Sequence, residues 1–194
     1  MRNFLQIADN LDVTPLLLEV HRQPALWNQY PYRTHHTESP HREAEDILVR
    51  CQPIDRSWPD HRECLWYPAA AVLPSVRAHA FALMTRVQGE RLGRIVITRL
   101  APGTQIYPHA DIGVHPLHYD TEPYYQRFHT LLQCPRGARF VCGEESVWMP
   151  SGTCWTFDNT QEHAVINDGQ EDRITLIVDI QTKGSWLSEI NGSA

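Results

Sequence analysis

The chain has 194 residues, 42% of them hydrophobic, with 17 basic and 23 acidic side chains and a formal charge of −6. That length and apolar content suit one domain, 1–194, with a substantial core. The acidic balance supplies no electrostatic term toward a nucleic-acid backbone or an anionic membrane, so neither partner is implied. No apolar run is long enough to span a bilayer, and the start MRNFLQIADNLD lacks the apolar segment of a signal peptide. A soluble, cytoplasmic protein is therefore expected, with its oligomeric state unknown.

In chain order, ADNLDVTPLLLEVHRQPALWNQY (8–30) reads as a helix or turn-rich segment. The polar run RTHHTESPH, with His35, His36 and His41, reads as a solvated loop rather than a second metal site. Trp27, Trp58 and Trp66 suit core packing, with a substrate wall as the other option. PSVRAHAFALMTRVQ carries Val76, Ala80, Leu83 and Val87 at three-and-four spacing, which predicts an amphipathic helix. From Leu92 onward β signals dominate. GRIVITRL, RFHTLLQ, ARFVC, SVWM, CWTF and RITLIVDIQ are short, β-branched or aromatic, and separated by PG, PRG, PSG and NDG breakers. Strands punctuated in this way predict a barrel or jelly roll rather than a parallel sheet. The expected architecture is mainly β with flanking helices. A double-stranded β-helix core over 92–181 has the helix-containing segment 1–91 packed outside it, and a site near its mouth. Cys51, Cys64, Cys134, Cys142 and Cys154 are odd in number with no CxxC pair, which points to reduced, buried thiols.

Chemistry concentrates in PGTQIYPHAD and FDNTQEHAV. Strand residues two apart share a face, so His109 and Asp111 can hold one ion, and His163 supplies a third ligand. Two imidazoles and a carboxylate on one face leave positions open, the pattern of non-heme Fe(II) oxygenases. A 2-oxo acid used with such a site needs a cation for its far carboxylate. Arg173, at the head of RITLIVDIQ, suits that role because its planar fork takes a carboxylate through two parallel hydrogen bonds. Arg127 and His129 also share a strand face, and inside a barrel they would require an anion. Periodicity alone leaves Arg127 equally readable as a surface charge. His115 and His118 read as a substrate-facing loop, with metal ligation as the alternative. Asp158, Asn159 and the turn Pro102–Thr104 read as turn formers.

These motifs also carry a family resemblance. LAPGTQIYPHAD, RFHTLL, SGTCWTFDNTQEHAVIND and DRITLIVDI, in that order from about Leu92 to Gln181, resemble the aspartyl/asparaginyl β-hydroxylase family of Fe(II)/2-oxoglutarate-dependent oxygenases. The resemblance implies a double-stranded β-helix, with iron held by His109 and His163. It implies 2-oxoglutarate held by Arg173, with the Thr98 hydroxyl on the same distal carboxylate, and Arg127 and His129 as the family's RxH pair around it. O2 is the implied oxidant. The implied reaction hydroxylates a C–H bond of a small-molecule or peptidyl substrate: an amino acid, an amino-acid-derived metabolite or a peptide side chain. Well-known animal members carry glycine where this chain has Asp111, which here completes the triad and argues against halogenation. The longer stretch DIGVHPLHYDTEPYYQ is a candidate lining for a different substrate pocket. Two other readings stay open: a zinc hydrolase, which lacks an HExxH-like base and gives Arg173 no role, and a non-catalytic cupin-like metal- or ligand-binding protein.

Overall fold

The computed structural model describes residues 3–31, 33–53, 64–111 and 125–182. Its elements are strand β1 (Phe4–Ala8), helix α1 (Thr14–His21), a 3-10 turn (Pro24–Leu26), strands β2 (Glu45–Cys51) and β3 (Leu65–Trp66), and helices α2 (Ala69–Val72) and α3 (Pro74–Arg86). Strands β4 (Gly89–Leu100), β5 (Gln105–His109), β6 (Tyr125–Gln133), β7 (Ala138–Cys142), β8 (Glu145–Val147), β9 (Cys154–Phe157), β10 (His163–Asn167) and β11 (Arg173–Thr182) follow. A seven-stranded sheet has the order β1-β9-β6-β11-β4-β2-β3 and a four-stranded sheet the order β5-β10-β7-β8. The two antiparallel sheets form the expected double-stranded β-helix.

The period-two rule sorts the large sheet into two buried faces. Outward-facing Ile174, Leu176, Val178 and Ile180 of β11 join Ile95, Ile97 and Phe128 in one core cluster, together with Leu16 and Val20 of α1 and Val76, Ala80 and Leu83 of α3. The helical layer therefore lies outside the barrel, and the four apolar positions expected to mark its amphipathic helix are all buried. Pro74 opens α3 at a position whose N–H needs no helical partner. Gln88 ends the segment at a left-handed φ of 53°, turning the chain into β4. On the inner face, Leu100, Leu131, Trp155 and Phe157 pack against Ile106, Phe140 and Val165 of the small sheet. The inner face also carries buried polar side chains, among them Arg94, Thr98, Arg127, His129, Arg173, Thr175 and Asp179, with Val96 and Ile177 as apolar neighbours.

The segment before residue 92 contributes strands as well as helices. β1 pairs with β9, and β2 pairs with β4. Charges hid β2 from periodicity: EDILVRC begins with two acids, yet Asp46 is 2% exposed because Arg33 neutralises it. Trp27 and Trp66 pack partly buried on the helical-side core, with the guanidiniums of Arg99 and Arg77 at 4.5 Å and 4.3 Å from their rings. Trp58 lies outside the described residues. All five cysteines are free and buried. Among the described residues no helix is long and apolar enough to cross a membrane.

Leu176 lies fully buried in β11, between β4 and β6 and beneath the helical layer. Leu176→Ala is expected to lower stability by about 2–5 kcal/mol through lost burial and the cavity left behind, measured as a shift in the urea midpoint.

Candidate metal centre

Antiparallel pairing of β5 and β10 sets His109 directly opposite His163, with ring centroids 4.3 Å apart. The Nδ1 of His109 lies 2.8 Å from the Tyr107 carbonyl, and that of His163 lies 3.0 Å from the Gln161 carbonyl. A carbonyl only accepts, so each Nδ1 donates, and each Nε2 is left with its lone pair for a metal. Asp111 follows the end of β5. Its backbone N–H donates to the Asn159 carbonyl at 3.1 Å, and the Asn159 side-chain amide donates to Asp111 Oδ2 at 3.2 Å. Ligand atoms of the three residues all lie within 4.8 Å of one another, and Asp111 Oδ1 is 3.9 Å from His109 Nε2. The donor set of two imidazoles and one acidic oxygen fits a borderline divalent ion such as Fe(II).

Arg127 holds this carboxylate from the large sheet. Its Nη1 donates to Asp111 Oδ2, while Nε and Nη2 donate to the two oxygens of Asp179 at 2.9 Å and 3.3 Å. Arg127 is thus an inward, paired cation and not a surface charge. Burial alone would raise the Asp111 carboxyl, but the cations of Arg127 first and then Arg94 outweigh it and keep the group ionised. Burial would likewise weaken the Arg127 cation, and Asp111 and Asp179 reverse that. Both triad imidazoles are pushed down by burial, His163 to about 4, so they stand neutral and ready to ligate.

Deeper on the inner face, Arg173 is 3% exposed, and its Nη2 is buried with no hydrogen-bond partner. Both ring nitrogens of His129 and the hydroxyl of Thr175 are buried and unpartnered as well. Such groups are rare and costly unless a ligand satisfies them. The Thr98 hydroxyl is already engaged: it donates to Asp46 Oδ1 at 2.8 Å and accepts from Arg33 Nη2 at 3.0 Å. Thr175 faces Thr98 across the β4–β11 pairing and was not singled out from sequence. Its spacing of two from Arg173 was the available signal.

His41 departs from the solvated-loop expectation. Its ring centroid is 4.8 Å from that of His109, and its Nδ1 is buried without a partner. Asp158 does form a turn, accepting from the backbone and hydroxyl of Thr160, whereas Asn159 also reaches the metal-site carboxylate. Gly103 adopts a φ of +76°, which explains the turn at 102–104. His115 and His118 lie outside the described residues.

Residues 68–183 match the sequence profile of the aspartyl/asparaginyl β-hydroxylase family. The chain belongs to this family. The match extends back past the motif-bearing stretch to take in α2 and α3, whereas α1 of the outer helical layer precedes it. A comparison with curated proteins gave no match. Among solved structures, the chain is similar to a viral collagen prolyl hydroxylase from Paramecium bursaria Chlorella virus-1, at 12% identity and a TM-score of 0.57, over 94% of this chain and 97% of that one. It is also similar to a Pseudomonas putida prolyl-4-hydroxylase at 14% identity and a TM-score of 0.51, over 94% of both chains. A Burkholderia pseudomallei oxidoreductase of the 2OG-Fe(II) oxygenase family aligns at 16% identity and a TM-score of 0.51, over 84% of this chain and 77% of that one. At these identities the likeness concerns the fold that this β-hydroxylase family member shares with them.

Burial holds His41, His109, His129 and His163 below the ordinary histidine value of 6.5. The unfolded chain therefore takes up protons first on acidification, and stability that is full above about pH 6.5 falls as the pH drops toward 4. For the metal-free protein, we expect the urea midpoint to fall across that window with a slope of more than one proton, reduced in His129→Gln. A midpoint indifferent to pH between those limits would contradict this.

Proposed function

We propose that the protein is an Fe(II)- and 2-oxoglutarate-dependent oxygenase that hydroxylates a C–H bond of an amino acid, an amino-acid-derived metabolite or a peptidyl side chain. One observation carries the reading: a convergent His109–Asp111–His163 donor set shares an inner face with a buried guanidinium that has an unspent N–H. A metal hydrolase would leave that guanidinium without a purpose. A co-substrate with a distal carboxylate gives it one.

His109 and His163 would hold the metal through Nε2, and Asp111 through Oδ1, since Oδ2 is taken by Arg127 and Asn159. When bound, Fe(II) with 2-oxoglutarate and O2 supplies the oxidising chemistry, releasing succinate and CO2 while one oxygen atom enters the substrate C–H bond as a hydroxyl. The protein's contribution is placement. Tyr107 and Gln161 carbonyls fix the imidazole tautomers. Arg127 keeps Asp111 ionised and directed, and Asp179 holds Arg127 from behind. Arg173 receives the distal carboxylate, with the Thr175 hydroxyl two positions along the same face, and His129 lies between this pocket and the metal ligands. Thr98 contributes from the adjoining strand through its bonds to Arg33 and Asp46. The rings of Phe140 and Phe157, each with a centroid 5.3 Å from that of His129, make the intervening wall apolar and exclude water.

Anaerobic addition of Fe(II) and 2-oxoglutarate is expected to produce a weak visible charge-transfer band, and a panel of amino acids and peptides to yield a substrate that drives succinate release with a gain of one oxygen. His109→Ala or His163→Ala should abolish iron binding. Arg173→Ala should retain iron and raise the 2-oxoglutarate requirement by about tenfold or more, the worth of a charge-assisted hydrogen bond. Unchanged iron stoichiometry in both histidine variants, or an unaltered 2-oxoglutarate requirement in the arginine variant, would count against the assignment.

A further inference from the structure

We propose a second anion pocket, built from Arg33, Arg94 and His41 and separate from Arg173, which receives a carboxylate carried by the substrate. The inference rests on the oxygenase reading for its context, but the pocket is argued from its own residues.

Arg94 lies on β4 and is 7% exposed. Among the described residues its one ionic partner is Asp179 at 3.3 Å, and its Nε has no hydrogen bond. Both oxygens of Asp179 are already committed to Arg127, so the hydrogen-bonding capacity of the Arg94 guanidinium is largely unspent. Arg33 comes from the segment before β2 and buries its side chain to 9% exposure. Its Nε and Nη2 bond Asp46 at 2.8 Å and 2.9 Å, and Nη2 also bonds Thr98, which fixes the guanidinium plane and leaves Nη1 over. His41 adds a buried Nδ1 with no partner, beside the metal-site His109. Arg94 shares Asp179 with Arg127, and Arg127 reaches the metal-site Asp111, so this cluster adjoins the triad.

Donor chemistry fixes the sign of the occupant. The Arg94 Nε is a buried charged donor with no hydrogen-bond partner, and Arg33 keeps a guanidinium nitrogen outside its bonds to Asp46 and Thr98. A guanidinium only donates, so the group that satisfies these nitrogens is an acceptor, and an anion is the most favourable one. Guanidinium forks favour a planar carboxylate. Arg33, His41 and Asp46 precede residue 68, outside the family match, whereas Arg94 lies within it, so the N-terminal segment supplies part of this pocket.

Saturation-transfer NMR tests the pocket on the full chain saturated with 2-oxoglutarate, using propionate as the probe and propionamide as its neutral isostere. Propionate should bind and propionamide should not. Arg94→Gln should weaken propionate by about tenfold or more, the loss expected for a charge-assisted hydrogen bond, without changing 2-oxoglutarate affinity. Arg33→Gln combined with Asp46→Asn, which leaves neither charge alone in the interior, should weaken propionate likewise, and thermal midpoints check that both variants are folded. Equal binding of the two probes, or unaltered propionate affinity in folded variants, overturns the proposal. Arg173→Gln separates the two readings: it should lose 2-oxoglutarate yet keep a propionate response that Arg94→Gln removes. If the wild-type chain takes up no 2-oxoglutarate but retains that response, the oxygenase reading fails and the pocket stands.

Discussion

Arg127 sits between the carboxylates of Asp111 and Asp179, and the site is organised around that clamp. The guanidinium is 5% exposed, Asp179 is fully buried, and the Asp111 side chain is 9% exposed. Each would be prohibitively costly to bury alone. Together they tie β6 and β11 of the large sheet to the segment that follows β5 of the small one, so a single electrostatic knot joins the two layers at the metal ligands. It also settles which oxygen of Asp111 stays available. With Oδ2 held by Arg127 and Asn159, Oδ1 is the acceptor left facing the imidazoles.

Antiparallel register supplies the rest of the geometry. His109 and His163 are direct partners across β5 and β10, and each ring is pinned by a carbonyl two residues before it in sequence. The same device appears on the large sheet, where pairing sets Arg127 against Asp179 and His129 against Ile177. Polar residues at alternate positions of strands buried on both faces line up as a polar stripe inside an otherwise apolar barrel. The outer positions of those strands carry the aliphatic side chains that hold the helices, so stability and site are assigned to opposite faces of one sheet.

This division explains what the sequence disclosed. His109 with Asp111, and Arg127 with His129, were legible from spacings of two, His163 and Arg173 from the motifs around them, and the core strands from β4 to β11 from β-branched runs between turn breakers. Helix α3 was legible from four apolar positions that all proved buried. Arg33, Asp46 and His41 were not, because their meaning comes from distant partners: Arg33 meets Thr98 across 65 positions, and His41 becomes part of the site only by packing on His109. Two acids open EDILVRC and break the apolar alternation of a strand, which concealed β2. Asp179 did leave a trace. A lone acid inside TLIVDI must find a cation if the strand is buried, and Arg127 on the neighbouring strand is that cation.

The arrangement of cations follows from the same constraint. A barrel interior that holds a divalent ion, a dianionic co-substrate and a substrate must place its charges so that no intermediate loading state leaves a large imbalance in a poorly solvated space. Arg127 is permanently neutralised by two aspartates and can therefore support the metal ligand before anything binds. Arg173, whose guanidinium has Cys134 rather than a carboxylate beside it, is the cation that the proposed oxygenase reading leaves for the co-substrate. Arg94 shares an aspartate already committed elsewhere, and Arg33 is held in plane by Asp46 with one nitrogen to spare, which reserves them for the substrate. Because Arg33 and His41 belong to the segment before the family-matched residues, the proposed pocket lets substrate choice change there while the strands proposed to hold the metal and co-substrate stay as they are.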